Sequence, residues 1–443
     1  MSLSLAGLIA IAAIVAMLLS GRVSPLVAFV LVPIVAALVT GFGIDDIATF
    51  YEQGFARVIP VAVMFVFAIL FFGILQDAGL FEPIIRKVLS VSRGNVVSIT
   101  VATALVASIA HLDGSGATTF LLTIPALLPT YQRLRMSPYL LLLLVGLGAS
   151  IMNMLPWAGP LARIGSVLGM SPGELWQPLI PLQIFALVLL LALAVVLGLR
   201  ENRRIKRLPP LASHASQDDA ANDATIQETV DAQPVAKVPG WRMAFNALLL
   251  IAVVAALTVD VLPPALVFMI GVALALPVNI THMDGQMQSI KRHAPNALIM
   301  ATIIIAAGTF LGILNGSNML SELSADIVAI LPEAVVPYMH ILIGIFGVPF
   351  DLILSTDAYF FAFLPIVVEV VGNAGVPAVS TAYAMVIGNI IGTFVSPLAP
   401  AVWLALQLAG LEMGKHIRYS FGIMWGFSLV LMLFAYLSGA ITL

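Results

Sequence analysis

The chain contains no cysteine, which excludes disulfides, thiol nucleophiles and cysteine metal sites. Charge is nearly as scarce: Asp, Glu, Lys and Arg make up 9% of 443 residues, against about a quarter in soluble globular proteins. The net charge of -3 gives no reason to expect a nucleic-acid partner. The first apolar run has neither a basic leader nor a small-residue cleavage site, so it is expected to stay as a helix. What fills the chain instead is apolar, with 61% hydrophobic residues and a mean hydropathy of +1.10. A membrane-spanning helix needs about 20 apolar residues. Runs of that order recur at Met1–Gly21, Val23–Ile44, Val58–Gln76, Met136–Ala162, Leu175–Leu199, Met243–Val259, Val261–Thr281 and Tyr419–Leu443. The reading is an all-α polytopic membrane protein.

One polar stretch interrupts it, Arg200 to Gly240, basic at its start and then rich in Ala, Asp, Gln and Pro. Such a composition buries too little apolar surface to fold by itself, so a linker is expected at 200–240, between halves at 1–199 and 241–443. The halves share three blocks at matched spacing. "FFGILQDAGLFEPI" from Phe71 lies on "FLGILNGSNMLSEL" from Phe310, "TTFLLTIP" from Thr118 on "AYFFAFLP" from Ala358, and "GASIMNMLPWAGP" from Gly148 on "GNIIGTFVSPLAP" from Gly388. The common Gly, Ser and Pro positions predict two copies of one helix order. Within them the expected segments are scaffold helices over about 1–76, hairpins at about 94–134 and 337–372, and broken helices at about 138–170 and 377–409.

Lys and Arg collect on the cytoplasmic side of membrane proteins. If the linker is cytoplasmic and each half crosses five times around one re-entrant hairpin, Arg22, Arg86, Lys87, Arg93, Arg133, Arg135, the Arg200–Arg207 cluster, Lys237, Arg242, Lys291, Arg292, Lys415 and Arg418 fall inside. The opposite loops then hold Asp45, Asp46, Glu52, Glu174, Asp260, Glu322, Asp326 and Glu333, with Arg57 the one basic exception, and both termini lie outside. Five crossings invert the second half relative to the first. Inverted repeats are a transporter architecture with the site near the bilayer midplane.

The stretch "SIAHLDGSGATTF" puts Asp113 at the tip of the first hairpin, deep in lipid, where a carboxylate needs a partner. "FDLILSTDAYFFAFLP" puts Ser355, Thr356 and Asp357 at the second tip. Pro160 and Pro400 suit the first turn of a helix that restarts after a break. Four helix starts would thus aim free N–H groups at one volume, a setting for carboxylates or phosphates. The acids, hydroxyls and unwound carbonyls there are hard oxygen ligands suited to a cation. Arg163, one turn past Pro160, is placed to clamp a substrate carboxylate.

On these residues, and on "HLDGSGATTFLLTIPALLPTYQRLRM", "NMLPWAGPLAR", "LSTDAYFFAFLP" and "VSPLAPA", the chain resembles the citrate-metal-proton symporter family of the ion-transporter superfamily over nearly its whole length. The tips also resemble the Ser-Asn-Thr tips of sodium-dicarboxylate carriers. Both lack the asparagine here, which favours an acid-lined site for a divalent ion or protons. The resemblance implies uptake of citrate complexed with a divalent cation, magnesium or calcium, driven by protons. It implies a homodimer in a bacterial-type inner membrane, with an elevator-type motion of the hairpin-bearing domain past a fixed scaffold. Carried over by position, it implies substrate contacts at Ser115, Gly116, Thr118, Asn153, Pro156, Arg163, Ser355, Thr356, Ser396 and Pro397. It implies metal or proton roles for Asp113, Asp357 and Asn153, and His111 is a further candidate for the proton. A sodium-coupled carrier of di- or tricarboxylates, or of another small organic anion, on the same fold is the nearest rival, and a passive channel a further one. Enzyme chemistry is not expected: neither the Gly-x-Gly-Asp signature of intramembrane aspartyl proteases nor His-Glu-x-x-His occurs.

Overall fold

The computed structural model describes residues 2–20, 22–81, 83, 87, 95–208, 239–259 and 262–442. Among them every regular element is helical. The chain runs α1 (Leu3–Ser20), α2 (Pro25–Val39), α3 (Ile44–Asp77), α4 (Val96–Ala110), α5 (Gly116–Arg133), α6 (Pro138–Met152), α7 (Gly159–Leu168), α8 (Pro172–Trp176) and α9 (Ile180–Lys206). It continues with α10 (Gly240–Val259), α11 (Pro264–Asn279), α12 (Met283–Gly316), α13 (Met319–Ile330), α14 (Met339–Ile345), α15 (Gly347–Phe350), a π-helical turn Ala358–Phe363, α16 (Leu364–Gly372), α17 (Ala378–Ile390), α18 (Pro400–Ala409) and α19 (Met413–Leu437). Six described stretches, Ile44–Asp77, Val96–Asp113, Pro172–Lys206, Gly240–Val259, Met283–Gly316 and Met413–Leu437, are long and apolar enough to cross a membrane.

Hydropathy alone starts the third run at Val58, because Asp45, Asp46, Glu52 and Arg57 precede it. The helix in fact begins at Ile44. Asp46 Oδ2 accepts a hydrogen bond from the Gly43 N–H at 3.0 Å, and acids in a first turn suit the positive end of the helix. Helix α9 likewise outlasts its apolar run, so that Arg200, Arg203, Arg204 and Lys206 are helical and the expected linker begins later than Arg200. Residues 209–238 of that linker, and Arg86, Arg93 and Asp260 of the charge pattern, lie outside the described residues.

The two 34-residue helices α3 and α12, about 51 Å each at 1.5 Å per residue, pack along one another. Their backbones touch through glycine. A Cβ on Gly54 would lie 2.1 Å from the Gly308 carbonyl oxygen, and one on Gly312 would lie 2.2 Å from that of Phe50. Small residues allow this approach in lipid, where the hydrophobic effect does not drive helix association.

Helix α4 ends in a 3₁₀ turn, His111–Asp113, and Gly114 at φ 72° reverses the chain. α5 then returns beside α4, fixed by a hydrogen bond of 2.9 Å between the Thr103 and Tyr131 hydroxyls. In the second half α14 and α16 are the two limbs, and residues 351–357 form the tip. Helices α6 and α17 both stop: the chain is irregular from Asn153 to Ala158 and from Ile391 to Ala399, and helix resumes at Gly159 and Pro400.

Gly312→Val should disrupt the α3–α12 contact, because the obstructing atoms are backbone. A loss at or above the upper end of the usual overpacking range of about 1–3 kcal/mol is expected. Gly414→Ala, with open space around its position, should leave the protein near wild type. Thermal unfolding of the detergent-solubilised protein distinguishes the two.

Candidate binding site between the tips and breaks

Both tips and both breaks face one cavity of about 560 Å³, a size typical of small-ligand sites. The first tip contributes Asp113, Ser115, Gly116 and Thr118, the first break Asn153 and Arg163, and the second tip Ser355, Thr356 and Asp357. Sequence reasoning named each of these. Four helix starts line the same volume, at Gly116, Gly159–Pro160, Ser355–Asp357 and Pro400. Ser115 caps its helix by accepting from the Thr118 N–H at 3.4 Å, and Ser355 accepts from the Ala358 N–H at 3.3 Å. Asp113 Oδ1 accepts from the Ser115 N–H at 2.9 Å.

The parts are held by contacts between the two halves and within the first. Ser150 donates to the Ile391 carbonyl at 3.3 Å, joining the helix before one break to the other break. Phe394, in the second break, lies edge-on to His111 and Phe120 of the first tip, with ring centroids 5.6 and 5.3 Å away. A Cβ on Gly116 would come within 2.7 Å of the Phe394 ring and 3.0 Å of Ala401, so this tip requires glycine. Trp157 stacks on Phe72 of α3 at 5.0 Å and donates to the Leu112 carbonyl at 2.7 Å, fastening the first break to the first tip.

Arg163 and Asp357, 194 residues apart, are bonded to each other. Arg163 Nε donates to Asp357 Oδ1 at 2.8 Å, and Nη2 lies 2.7 Å from the same oxygen. The sequence reading placed the arginine on a substrate carboxylate and the aspartate on a cation; here each is the other's partner. Their side chains are 10% and 16% exposed, and a buried charge is stable only when paired.

Four residues assigned to the site by sequence do not line the cavity. His111 is fully buried behind it: Nδ1 lies 2.7 Å from Thr119 Oγ1, whose own proton goes to the Ser115 carbonyl, and Nε2 lies 2.9 Å from Asn153 Oδ1. Pro156 is buried inside the first break. Ser396 donates to the Asp351 carbonyl and accepts from the Leu398 N–H at 3.2 Å, while the Pro397 carbonyl accepts from Trp403 Nε1 at 2.8 Å. These positions shape the breaks rather than the surface a ligand meets.

The cavity also has a wall that sequence reasoning missed. Gly73 and Gln76 of α3 and His293, Asn296 and Met300 of α12 line it, as do Thr393 and Phe394. His293 Nε2 and Arg292 Nη1 each lie 3.0 Å from Asp77 Oδ2. The available signal was "KRHAPN", a basic and amide-bearing segment immediately before an apolar run.

The family model described as citrate transporter matches residues 3–388. A citrate transporter of Bacillus subtilis is 35% identical over 440 residues, spanning 99% of this chain and 100% of the relative. The chain belongs to the citrate transporter family. As a member of that family it is a multi-pass membrane transporter and not an enzyme. A second B. subtilis relative, the Mg(2+)/citrate complex secondary transporter, is 34% identical over 447 residues, covering 100% of this chain and 99% of its own. Among solved structures, the Alcanivorax borkumensis YdaH transporter superposes with a TM-score of 0.59 at 15% identity over 88% of each chain. Neisseria gonorrhoeae MtrF gives 0.59 at 16% identity over 89% of this chain and 85% of its own. At those identities they share the fold with this citrate transporter family member, and no more.

Arg163→Ala should leave Asp357 as an unpaired buried charge and destabilise the protein by about 3–5 kcal/mol. Adding Asp357→Asn to that variant should restore most of the loss. Thermal unfolding of the two variants beside wild type checks the sign of the coupling.

Proposed function

We propose that this protein carries citrate as a complex with a divalent cation, coupled to protons, across a bacterial-type inner membrane. The observation that carries the reading is the convergence of four helix starts, the Arg163–Asp357 pair and Asp113 on one cavity. Citrate complexed to a divalent ion presents free carboxylates and a partly neutralised cation together. Helix starts suit the carboxylates, and Asp113 and the hydroxyls of Ser115, Thr118, Ser355 and Thr356 suit the cation as hard oxygen donors. Among the described residues no cluster of three or more His, Asp or Glu side chains could cage a metal. The cation is therefore read as cargo whose remaining ligands come from citrate and water. Arg163 can turn one N–H pair from Asp357 to a citrate carboxylate, and Asp357 is then released toward the cation. The Mg(2+)/citrate relative supports this choice of cargo.

The transport cycle is read as an elevator built on inverted repeats. The helix order supports repetition: α1, α2 and α3 have 18, 15 and 34 residues, while α10, α11 and α12 have 20, 16 and 34. The segments restarting after the breaks, α7 and α18, have 10 each. The glycines at matched positions serve the same packing. A Cβ on Gly148 would lie 3.2 Å from the Ala104 carbonyl oxygen of α4, and one on Gly388 would lie 2.0 Å from that of Gly344 of α14. In this reading tips and breaks move as one body past α1–α3 and α10–α12, the scaffold through which two copies form a homodimer. His293 lines the cavity next to Lys291 and Arg292, residues the basic-inside rule assigns to the cytoplasm, so on this reading the cavity reaches toward the cytoplasmic side.

In proteoliposomes, citrate uptake should require magnesium or calcium and rise with an inward proton gradient. Asp113→Asn should weaken metal–citrate binding about tenfold or more, the cost of a charge-assisted contact, measured by calorimetry with and without the metal. Uptake driven by sodium and indifferent to divalent ions would reject the reading.

A further inference from the structure

Behind the second tip lies a group that the binding reading does not use. Asp351, at the end of α15, is 1% exposed. Its Oδ1 accepts from Asn389 Nδ2 at 2.6 Å, but its Oδ2 has no hydrogen-bond partner. Asn389, fully buried near the end of α17, has the complementary defect: its amide donates and its Oδ1 is unpartnered. Two buried acceptors on the same pair of side chains thus stand orphaned, each costing about 1–3 kcal/mol if left so.

We propose that Asp351 is protonated on Oδ2 and donates to Asn389 Oδ1, closing a carboxylic acid–amide pair, and that this proton is the one carried with substrate. The inference rests on the proton-coupled reading above and names the group that couples. Among the described residues none of the ion pairs involves Asp351, and Arg163 is paired with Asp357 at 2.7 Å. The other titratable groups on the elements packed around it are engaged elsewhere, Tyr383 of α17 donating to the Leu175 carbonyl at 2.8 Å. Tyr359 donates to the Met385 carbonyl at 3.3 Å, and His416 donates to the Phe394 carbonyl at 3.0 Å.

Position connects the pair to the cavity. Asp351 begins the segment that ends at Asp357, and its carbonyl accepts the Ser396 hydroxyl of the second break. A Cβ on Gly392 would lie 2.3 Å from Asp351 Oδ2, so the carboxyl sits against the break itself. The next residue, Thr393, lines the cavity and has a buried, unpartnered hydroxyl oxygen. With the proton present, acid and amide tie the second tip to α17. Without it, the charged carboxylate keeps only the Asn389 N–H bond and its second oxygen stands against an unpartnered amide oxygen, which loosens the tie between tip and α17. The first half holds a different residue at the matched place. Four residues before Ser115 stands His111, and four before Ser355 stands Asp351. His111 has both ring nitrogens partnered, whereas Asp351 has a buried oxygen without a partner.

The test is uptake of magnesium–citrate into proteoliposomes under an imposed pH gradient, beside equilibrium exchange at equal pH. One coupled proton raises steady-state accumulation about tenfold per pH unit. Asp351→Asn should lose that tenfold factor and keep exchange within about twofold of wild type. A variant that keeps the factor overturns the assignment while leaving the proton-coupled reading intact, whereas a wild-type protein indifferent to the gradient overturns the reading itself. A sodium gradient that drives wild type but not Asp351→Asn would make this a sodium site and reject the proton. Should Asp351→Asn also lose exchange, infrared difference spectroscopy of the wild type decides. A protonated-carboxyl stretch that shifts in Asn389→Leu supports the pair, and its absence rejects it.

Discussion

A polypeptide that stops being helical inside a bilayer must find partners for its freed N–H and C=O groups within the protein itself. That constraint organises this molecule. Neither break could stand alone in lipid. Ser150 of the first half reaches the Ile391 carbonyl of the second, while His416 meets the Phe394 carbonyl and Trp157 the Leu112 carbonyl within their own halves. The cavity is the space left where these repairs meet. Its polarity follows, since the groups not spent on repair are the helix starts and tip hydroxyls that face inward.

The same constraint explains why a structure so apolar can hold several acids. Asp357 is matched by Arg163, Asp113 is turned onto its own backbone at Ser115, and Asp351 leans on an amide. Three carboxyls thus meet the cost of burial in three different ways. On the proposed function the first exchanges its partner for a ligand and the second receives a cation, and the third, on the inference drawn above, holds a proton.

Much of this was legible in the sequence because irregularity in an apolar chain is conspicuous. Asp113, Ser115, Thr118 and Ser355 to Asp357 interrupt hydrophobic runs, and Pro160 and Pro400 stand at restarts. Their recurrence at matched spacing pointed to a shared cavity. What stayed hidden was the pairing of residues far apart in the chain. Nothing local says that Arg163 meets Asp357 rather than a ligand, or that Ser396 turns to Asp351. The wall from α3 and α12 was also hidden, because His293 and Asn296 sit in a continuous helix, away from the interruptions that mark the tips and breaks. Their inward position depends on how α12 is rotated by the glycine contact at Gly54 and Gly312.

The mutual neutralisation of Arg163 and Asp357 bears on how a carrier resets. The pair carries no net charge, so on the proposed cycle it adds little to the cost of moving the tips past the scaffold, whereas a lone guanidinium or carboxylate at either position would add several kcal/mol.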